Sequence, residues 1–334
     1  MVKFNNLKKI FIVAEIGVNH EGNFDTAMDL IKKAHQSGVD AVKFQTFKAN
    51  QYISTCQPER RERAKKFQLS REQFDKLSKE AKKWKLKFFS TPLNPNDIDF
   101  LSKISDIIKI SSGDLTNLDL IKYAAKKYNN LIISTGLGVH SEIQAAINTV
   151  LKQKPSIRNN NSLVLMHCVS AYPTPEKELN LGNIRWLQDN FNFLTGYSDH
   201  SLGTKACELS VMFGVKVIEK HFTYRKENQL FHDHAISADP KDMENLVNKV
   251  RRAELIYGEY QRRRGPSEKK NLKNMRRSYC AVCDLDRGHK IERKDLILLR
   301  PAIGYQCNEL GNVVGKYLKR NIKLGMVIKK TDVK

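Results

Sequence analysis

The stretch from Ile10 to Thr46 reads IFIVAEIGVNHEGNFDTAMDLIKKAHQSGVDAVKFQT, and it decides the fold. It opens on an apolar, β-rich run, Ile10 to Ile16. An amphipathic stretch follows, Thr26 to Gln36, in which Ala27, Leu30, Ile31 and Ala34 fall on one helical face. Gly38 closes that helix, as glycine just past a helix end does. A second strand runs from Ala41 to Thr46. Strand, helix and strand in this order make a unit of a parallel sheet.

The pattern continues along the chain. Strands are predicted at Phe88 to Thr91, Ile107 to Ile110, Leu131 to Thr135, Leu163 to Val169, Phe193 to Tyr197 and Lys216 to Glu219. Helices fit between them. One spans Arg71 to Lys85 after a longer insertion; Ser70 opens it, with Gln73 three residues on, as a capping box. Another lies near Asp97 to Lys103, after Asn94 and Pro95. The last, Met243 to Tyr257, opens on Asp239 and Pro240. Eight βα units in about 255 residues predict a closed (β/α)8 TIM barrel. An open doubly wound sheet is the alternative, but no Gly-x-Gly-x-x-Gly turn follows the first strand.

The barrel is assigned to residues 1–260. A basic, polar linker, 261–275, carries Gly265 and Pro266. Residues 276–334 form a small β-rich domain of short runs and several glycines. Within it Gly288-x-x-Ile291-x-x-x-Asp295-Leu296 recurs as Gly325-x-x-Ile328-x-x-x-Asp332-Val333, which implies two similar turns in one module.

Bulk composition narrows the function classes. Hydrophobic residues make up 40% of the 334 and charged residues 28%, enough for a large core. No run approaches ~18 consecutive apolar residues, so no membrane span is expected. The segment Met1 to Lys9 is polar and basic without a cleavage pattern, and the six cysteines have no framework spacing. Both point to the cytoplasm. Cys280-x-x-Cys283 is read as structural, because zinc needs about four ligands. The net charge of +22 admits an anion or nucleic-acid binder. It is read instead as a lysine-rich solvated surface, since no nucleic-acid-binding motif accompanies it.

In a TIM barrel the chemistry sits at the C-terminal strand ends. There this chain places Glu15 with Asn19, His20 and Glu21; Lys43, Gln45 and Thr46; Ser90 and Thr91; Lys109, Ser111, Ser112 and Asp114; Ser134 and Thr135; His167, Ser170 and Tyr172; Ser198, Asp199 and His200; and Glu219, Lys220 and His221. Polar groups at such depth need partners, and a ligand can supply them. Lys43 and Lys109 lie inside apolar runs, so their ammonium groups should enter the barrel mouth, where Thr91, Ser112 and Ser134 complete a site for phosphate and carboxylate. His200 and His221 end neighbouring strands and can share a divalent metal. His232 and His234, flanking Asp233, are further candidate ligands.

These strings resemble the sialic acid synthase family along almost the whole chain. The resemblance rests on Ala14 to Gly22 (AEIGVNHEG), Val42 to Thr46 (VKFQT), Ser90-Thr91-Pro92, Lys109 to Asp114 (KISSGD), Ser134-Thr135-Gly136, His167-Cys168 with Tyr172 to Pro175 (YPTP), Gly196 to His200 (GYSDH) and Glu219 to Thr223 (EKHFT). The tail resembles the family's antifreeze-like (SAF) domain through Asp286 to His289, Leu299-Arg300-Pro301 and Gly311 to Lys316.

The resemblance implies an enzyme that condenses phosphoenolpyruvate with an N-acylated aldose and releases phosphate. By it, His200 and His221 hold Mn2+ or Mg2+. Lys43, Lys109, Thr91, Ser112, Ser134 and Ser198 bind phosphoenolpyruvate. Gln45, Tyr172 and Asp233 face the sugar, with Asp233 sharing in proton transfer, and Glu15 and Asp114 assist proton transfer or position water. It further implies a domain-swapped homodimer whose Arg300 reaches the partner's sugar site. Ser170 and Asp114 depart from some members, which have Asn and Glu there. The stretch Cys168 to Tyr172 is most similar to the N,N'-diacetyllegionaminic acid synthase branch, which uses 2,4-diacetamido-2,4,6-trideoxymannose. N-acetylneuraminate and pseudaminic acid synthases are the alternatives, and a 3-deoxy-heptulosonate-type synthase is a more distant one.

Overall fold

The computed structural model describes residues 4–227, 229 and 231–334. The first three residues of the basic N-terminal segment lie outside the described residues. The chain forms two compact units, Met1–Gly258 and Glu259–Lys334.

The first unit is a closed eight-stranded barrel, β1 through β8 in sequence order, with every pairing parallel. Its elements run β1 (Phe11–Gly17), α1 (Phe24–Gln36), β2 (Ala41–Thr46), α2 (Ala49–Tyr52), α3 (Pro58–Phe67), α4 (Arg71–Lys83), β3 (Lys87–Pro92) and α5 (Pro95–Ile104). Then come β4 (Ile107–Ile110), α6 (Leu118–Lys127), β5 (Asn130–Ser134), α7 (His140–Gln153), α8 (Ser156–Asn160), β6 (Leu163–His167) and α9 (Gly182–Phe191). β7 (Leu194–Asp199), α10 (Lys205–Ser210), β8 (Val217–His221), α11 (Asp233–Ile236) and α12 (Pro240–Tyr257) complete it.

The helix starts follow the local chemistry. Ser70 accepts from the Gln73 amide while the Gln73 side chain accepts from the Ser70 amide, so the capping box of α4 is formed both ways. Asn23, Asn94 and Asp239 cap α1, α5 and α12. Most expected boundaries shift by one to three residues, and two of the shifts have a clear cause. α4 ends at Lys83 rather than Lys85, because Lys85 turns into the left-handed region at φ 61 and breaks the helix. β6 ends at His167 rather than Val169, since its last rung pairs His167 with Tyr197.

The core has two kinds of layer. Outward-facing strand residues such as Ile12, Val42, Ile108 and Leu165 pack under the helices. Inside the barrel, Phe11, Val13, Ala41, Phe89, Ile107, Ile132, Val164, Met166 and Val217 fill the lower interior. Each fully buried side chain of this size contributes about 1.5–3 kcal/mol. This packed floor closes the barrel from below, so whatever enters must do so at the C-terminal mouth.

In the second unit the segment expected as a basic, polar linker, 261–275, carries a helix, α13 (Pro266–Met275). Pro266 sits at its first position, where its missing N–H is harmless. An antiparallel pair follows, β9 (Ser278–Ala281) with β10 (Leu296–Leu299), and then a short helix, α14 (Leu310–Val313). The sequence repeat is a structural one. Gly288 and Gly325 both take positive φ, 86° and 76°. Ile291 and Ile328 are both buried in the small core. The Asp295 and Asp332 carboxylates accept from the amides three residues upstream, Glu292 and Lys329. Cys280 is buried, and Cys283 and Cys307 are exposed.

Candidate active site

Two residues beyond the uppermost floor residue of each strand, and beyond Gly196 at the corresponding place on β7, stands a residue of different character on the same face. Val13 is followed by Glu15, Ala41 by Lys43, Phe89 by Thr91, Ile107 by Lys109, Ile132 by Ser134, Met166 by Cys168, Gly196 by Ser198 and Val217 by Glu219. The period-two alternation of a strand makes these eight one inward-facing tier. All eight line one cavity of about 200 Å³ at the barrel mouth. Two residues further on, Gln45, Leu93, Ser111, His200 and His221 form an upper tier of the same cavity, joined by Tyr52, Ser112 and Tyr172 from loops.

The lower tier is an ion network. Lys43 Nζ lies 2.8 Å from Glu15 Oε1 and 3.7 Å from Glu219 Oε1, and it donates to Thr91 Oγ1 at 3.3 Å. Lys109 donates to both oxygens of Glu219 at 2.9 Å, and Ser198 donates to Oε1 at 3.0 Å. All four charged groups are buried. Burial alone would raise Glu219, but the Lys109 and Lys43 ammonium groups pull it down to about 2. Glu15 has less compensation. Burial drives it up to about 7 against the pull of Lys43, and its Oε2 is buried without a partner. Glu219, noted in the sequence only as part of the ring, is thus the common partner of both lysines. Its spacing of two from His221 was the available signal.

The upper tier is imidazole and phenol. His200 donates Nδ1–H to the Val169 carbonyl at 2.7 Å, which leaves Nε2 as the lone-pair nitrogen. The Tyr172 hydroxyl meets that Nε2 at 3.0 Å, and the two rings stack at 4.2 Å. The His200 and His221 ring centroids are 5.5 Å apart. Burial lowers His200 to about 4, and burial followed by the neighbouring His200 and Lys43 lowers His221 well below its usual value. Both are therefore neutral, and His221 Nδ1 is buried without a hydrogen-bond partner. Two neutral imidazole nitrogens fit a divalent cation that takes its other ligands from substrate and water. No group of three or more His, Cys, Asp or Glu able to hold a metal occurs among the described residues.

Behind these imidazoles, on the outward side of their strands, Lys220 donates to Asp199 Oδ2 at 2.9 Å and to the Ser201 carbonyl. Asp199 Oδ1 accepts from the Tyr197 and Ser201 hydroxyls and the Ser201 amide. This fully satisfied network fixes the residues immediately before His200 and His221.

The remaining expected residues fall in different places. Ser112 meets Ser170 at 2.8 Å, and Ser170 lines a neighbouring groove rather than the cavity. Asp114 does not line the cavity. Its carboxylate accepts from Ser111 and Asn117 and braces the turn that carries Ser112. Asp233 lines an adjoining compartment, with Oδ2 3.7 Å from His221 Nδ1 and Oδ1 3.0 Å from His232 Nε2. Burial raises its carboxyl to about 7, partly opposed by Arg63. Asn19 secures the loop behind it, donating to the Phe222 carbonyl and Ser237 Oγ. His234 is buried against Thr223 and Glu21. Arg300 is an exposed residue of the second unit.

Such a mouth can hold a multiply charged anion on two buried ammonium groups beside a neutral donor set for a metal, with two carboxyl groups of elevated pKa at hand for proton transfer. The NeuB family matches residues 30–262, and the SAF domain matches residues 276–334. An N,N'-diacetyllegionaminic acid synthase of Legionella pneumophila is 40% identical over 95% of this chain and 93% of its own length. A pseudaminic acid synthase of Campylobacter jejuni is 29% identical over 98% of both chains. The crystal structure of an N-acetylneuraminic acid (sialic acid) synthetase from Leptospira borgpetersenii, in complex with citrate, superposes with a TM-score of 0.74 at 32% identity, covering 79% of this chain and 90% of that one.

Proposed function

The chain belongs to the NeuB family and ends in a SAF domain, and from that membership we propose that it is a phosphoenolpyruvate-dependent nonulosonic acid synthase whose acceptor is 2,4-diacetamido-2,4,6-trideoxymannose. The observation that carries this reading is the lower tier, in which two buried lysines share the floor of one cavity with three hydroxyl residues, Thr91, Ser134 and Ser198.

Lys43 and Lys109, with Thr91, Ser112, Ser134 and Ser198, bind the phosphate and carboxylate of phosphoenolpyruvate. In the free enzyme these ammonium groups are matched by Glu15 and Glu219. Glu15, already raised to about 7, is the group that takes up a proton as the anion arrives. Gln45, Tyr172 and Asp233 face the sugar. His200 and His221 would hold Mn2+ or Mg2+, which supplies Lewis-acid polarisation of the sugar aldehyde. The enol C3 attacks the aldehyde carbon, water adds at C2, and phosphate leaves with cleavage of the C2–O bond. Glu15 and Asp233 stand on either side of that chemistry as proton carriers. Asp114 acts through the turn that it braces. We further propose a cytoplasmic, domain-swapped homodimer in which Arg300 reaches the sugar site of the partner.

The test is phosphate release with phosphoenolpyruvate and Mn2+, comparing the diacetamido-trideoxymannose, N-acetylmannosamine and arabinose 5-phosphate, with product masses. Preference for the first supports the proposal. Preference for N-acetylmannosamine or arabinose 5-phosphate moves the chain to another synthase class. His221→Ala should lose at least about 10²-fold in kcat while keeping its circular dichroism spectrum; full activity in that variant would remove the metal role.

A further inference from the structure

Beyond the imidazoles the cavity does not end. A second compartment of about 190 Å³ shares Gln45, Tyr52, Tyr172 and His221 with the first and runs outward from them. Its far wall changes character. Val18, Phe47, Ile53 and Ala64 are buried in one apolar cluster, against which Phe67 and Phe231 pack. None of these six side chains can donate or accept a hydrogen bond. They come from β1's loop, from the β2–α4 insertion with α3, and from the loop after β8.

Its polar groups are of another kind. Asp233 stands beside His221, at the near end. Arg60 and Arg63 of α3 lie over aromatic rings, 5.9 Å from the Tyr52 centroid and 5.8 Å from the Phe231 centroid. The insertion therefore contributes an apolar surface covered by two guanidinium groups.

We infer that this compartment reads the terminal carbon of the acceptor sugar, and that Ile53, Ala64 and Phe67 select a methyl group there over a hydroxymethyl group. The inference rests on the proposed synthase reading, which puts the aldehyde end of the sugar at His200 and His221. An open-chain acceptor held there must extend its opposite end away from the lower tier, and the compartment is the continuous space it meets. A hydroxyl placed against Ile53, Ala64 and Phe67 would lose water there and gain no hydrogen bond from these side chains, whereas a methyl group loses nothing. A wall of this type discriminates against an added hydroxyl by about 10²-fold at most, so the selection is real but incomplete.

The experiment uses the full chain and two acceptors that differ at one atom: 2,4-diacetamido-2,4,6-trideoxymannose and its 6-hydroxy counterpart. N-acetylmannosamine 6-phosphate is the third. The wild type should favour the 6-deoxy sugar in kcat/KM by about 10–100-fold. Ile53→Asn should cut that ratio by about tenfold or more, chiefly through weaker use of the 6-deoxy sugar, with the KM for phosphoenolpyruvate held within about twofold. Ala64→Ser, a smaller change, should move the ratio in the same direction and guards against misfolding of the first variant. A wild type that prefers the 6-deoxy sugar while both variants keep its ratio leaves the synthase reading standing and overturns the role of the compartment. A wild type that prefers the 6-phosphate overturns it too, and makes Arg60 and Arg63 phosphate ligands. Phosphate release with none of the three removes the synthase reading itself and this inference with it.

Discussion

Glu15 and Glu219 occupy the same tier, touch the same lysine and are equally buried, yet their proton affinities diverge. Glu219 has two ammonium partners and sits at about 2, whereas Glu15 has one and sits at about 7. The consequence is measurable as stability. A carboxyl whose folded pKa lies above its unfolded value of 4.5 binds its proton more tightly when folded. Its contribution is fully present below about pH 4.5, fades as pH rises, and is gone above about 7. Glu15→Gln mimics the protonated form. In metal-free protein, its unfolding free energy from urea titration should therefore gain on the wild type between about pH 4.5 and 7, by on the order of 1–3 kcal/mol, and run parallel to it above. A constant offset across that window would show that Glu15 is not the group titrating. His200 works in the opposite sense: lowered to about 4, it contributes stability above about pH 6.5 that is lost as pH falls through about 4. Much of this residue scale was legible in the sequence, because Lys43, Lys109, His200 and His221 are chemically conspicuous inside apolar strands. The sequence did not separate Glu219 from its neighbours, since a carboxylate two positions before a histidine acquires its meaning only when the fourth strand brings Lys109 across the barrel to meet it.

At the scale of elements, the strands were readable and the insertion was not, and the reason is periodicity. Each strand alternates, so a floor residue and a site residue two positions later share a face, and β-rich runs announce themselves. The insertion between β2 and α4 offers no such signal. α3 is strongly polar and buries Ala64 alone among its ten residues, so no apolar stripe marks it as a wall of the site. Its anchorage is a contact between backbones. Gly22, in the loop after β1, takes φ +81, and a Cβ there would stand 1.9 Å from the Lys66 carbonyl oxygen near the end of α3. Neither the conformation nor the clash can be relieved by a rotamer change. Gly22→Ala should cost about 1–3 kcal/mol in thermal unfolding. Because the displaced element carries Ala64 and Phe67 rather than the lysines, it should also raise the KM for the sugar several-fold more than that for phosphoenolpyruvate. Equal changes in both constants would mean that α3 is not a wall of the acceptor compartment.

For the whole molecule the question is what a net charge of +22 does. Within the site the two lysines are offset by Glu15 and Glu219, so the lower tier carries little net charge with which to attract an anion from a distance. The excess lies on surfaces such as the outer faces of α4 and α6, where lysines are exposed. Such a field acts over roughly a Debye length, about 8 Å at physiological ionic strength, and weakens as salt is added. The two proposed substrates differ in the respect that matters, since phosphoenolpyruvate is an anion and the diacetamido sugar is neutral. Raising the salt from about 20 mM to about 500 mM should therefore lower kcat/KM for phosphoenolpyruvate several-fold and leave that for the sugar unchanged. The neutral substrate controls for any general effect of salt on the fold or the metal site. If both constants fall together, the surface charge is not steering the substrate. If neither falls while duplex DNA binds with a steep salt dependence, the positive surface serves a polyanion instead. The selective fall is the expected outcome, because the proposed anion site at the barrel mouth would recognise phosphoenolpyruvate at contact and leave its capture to the surface around it.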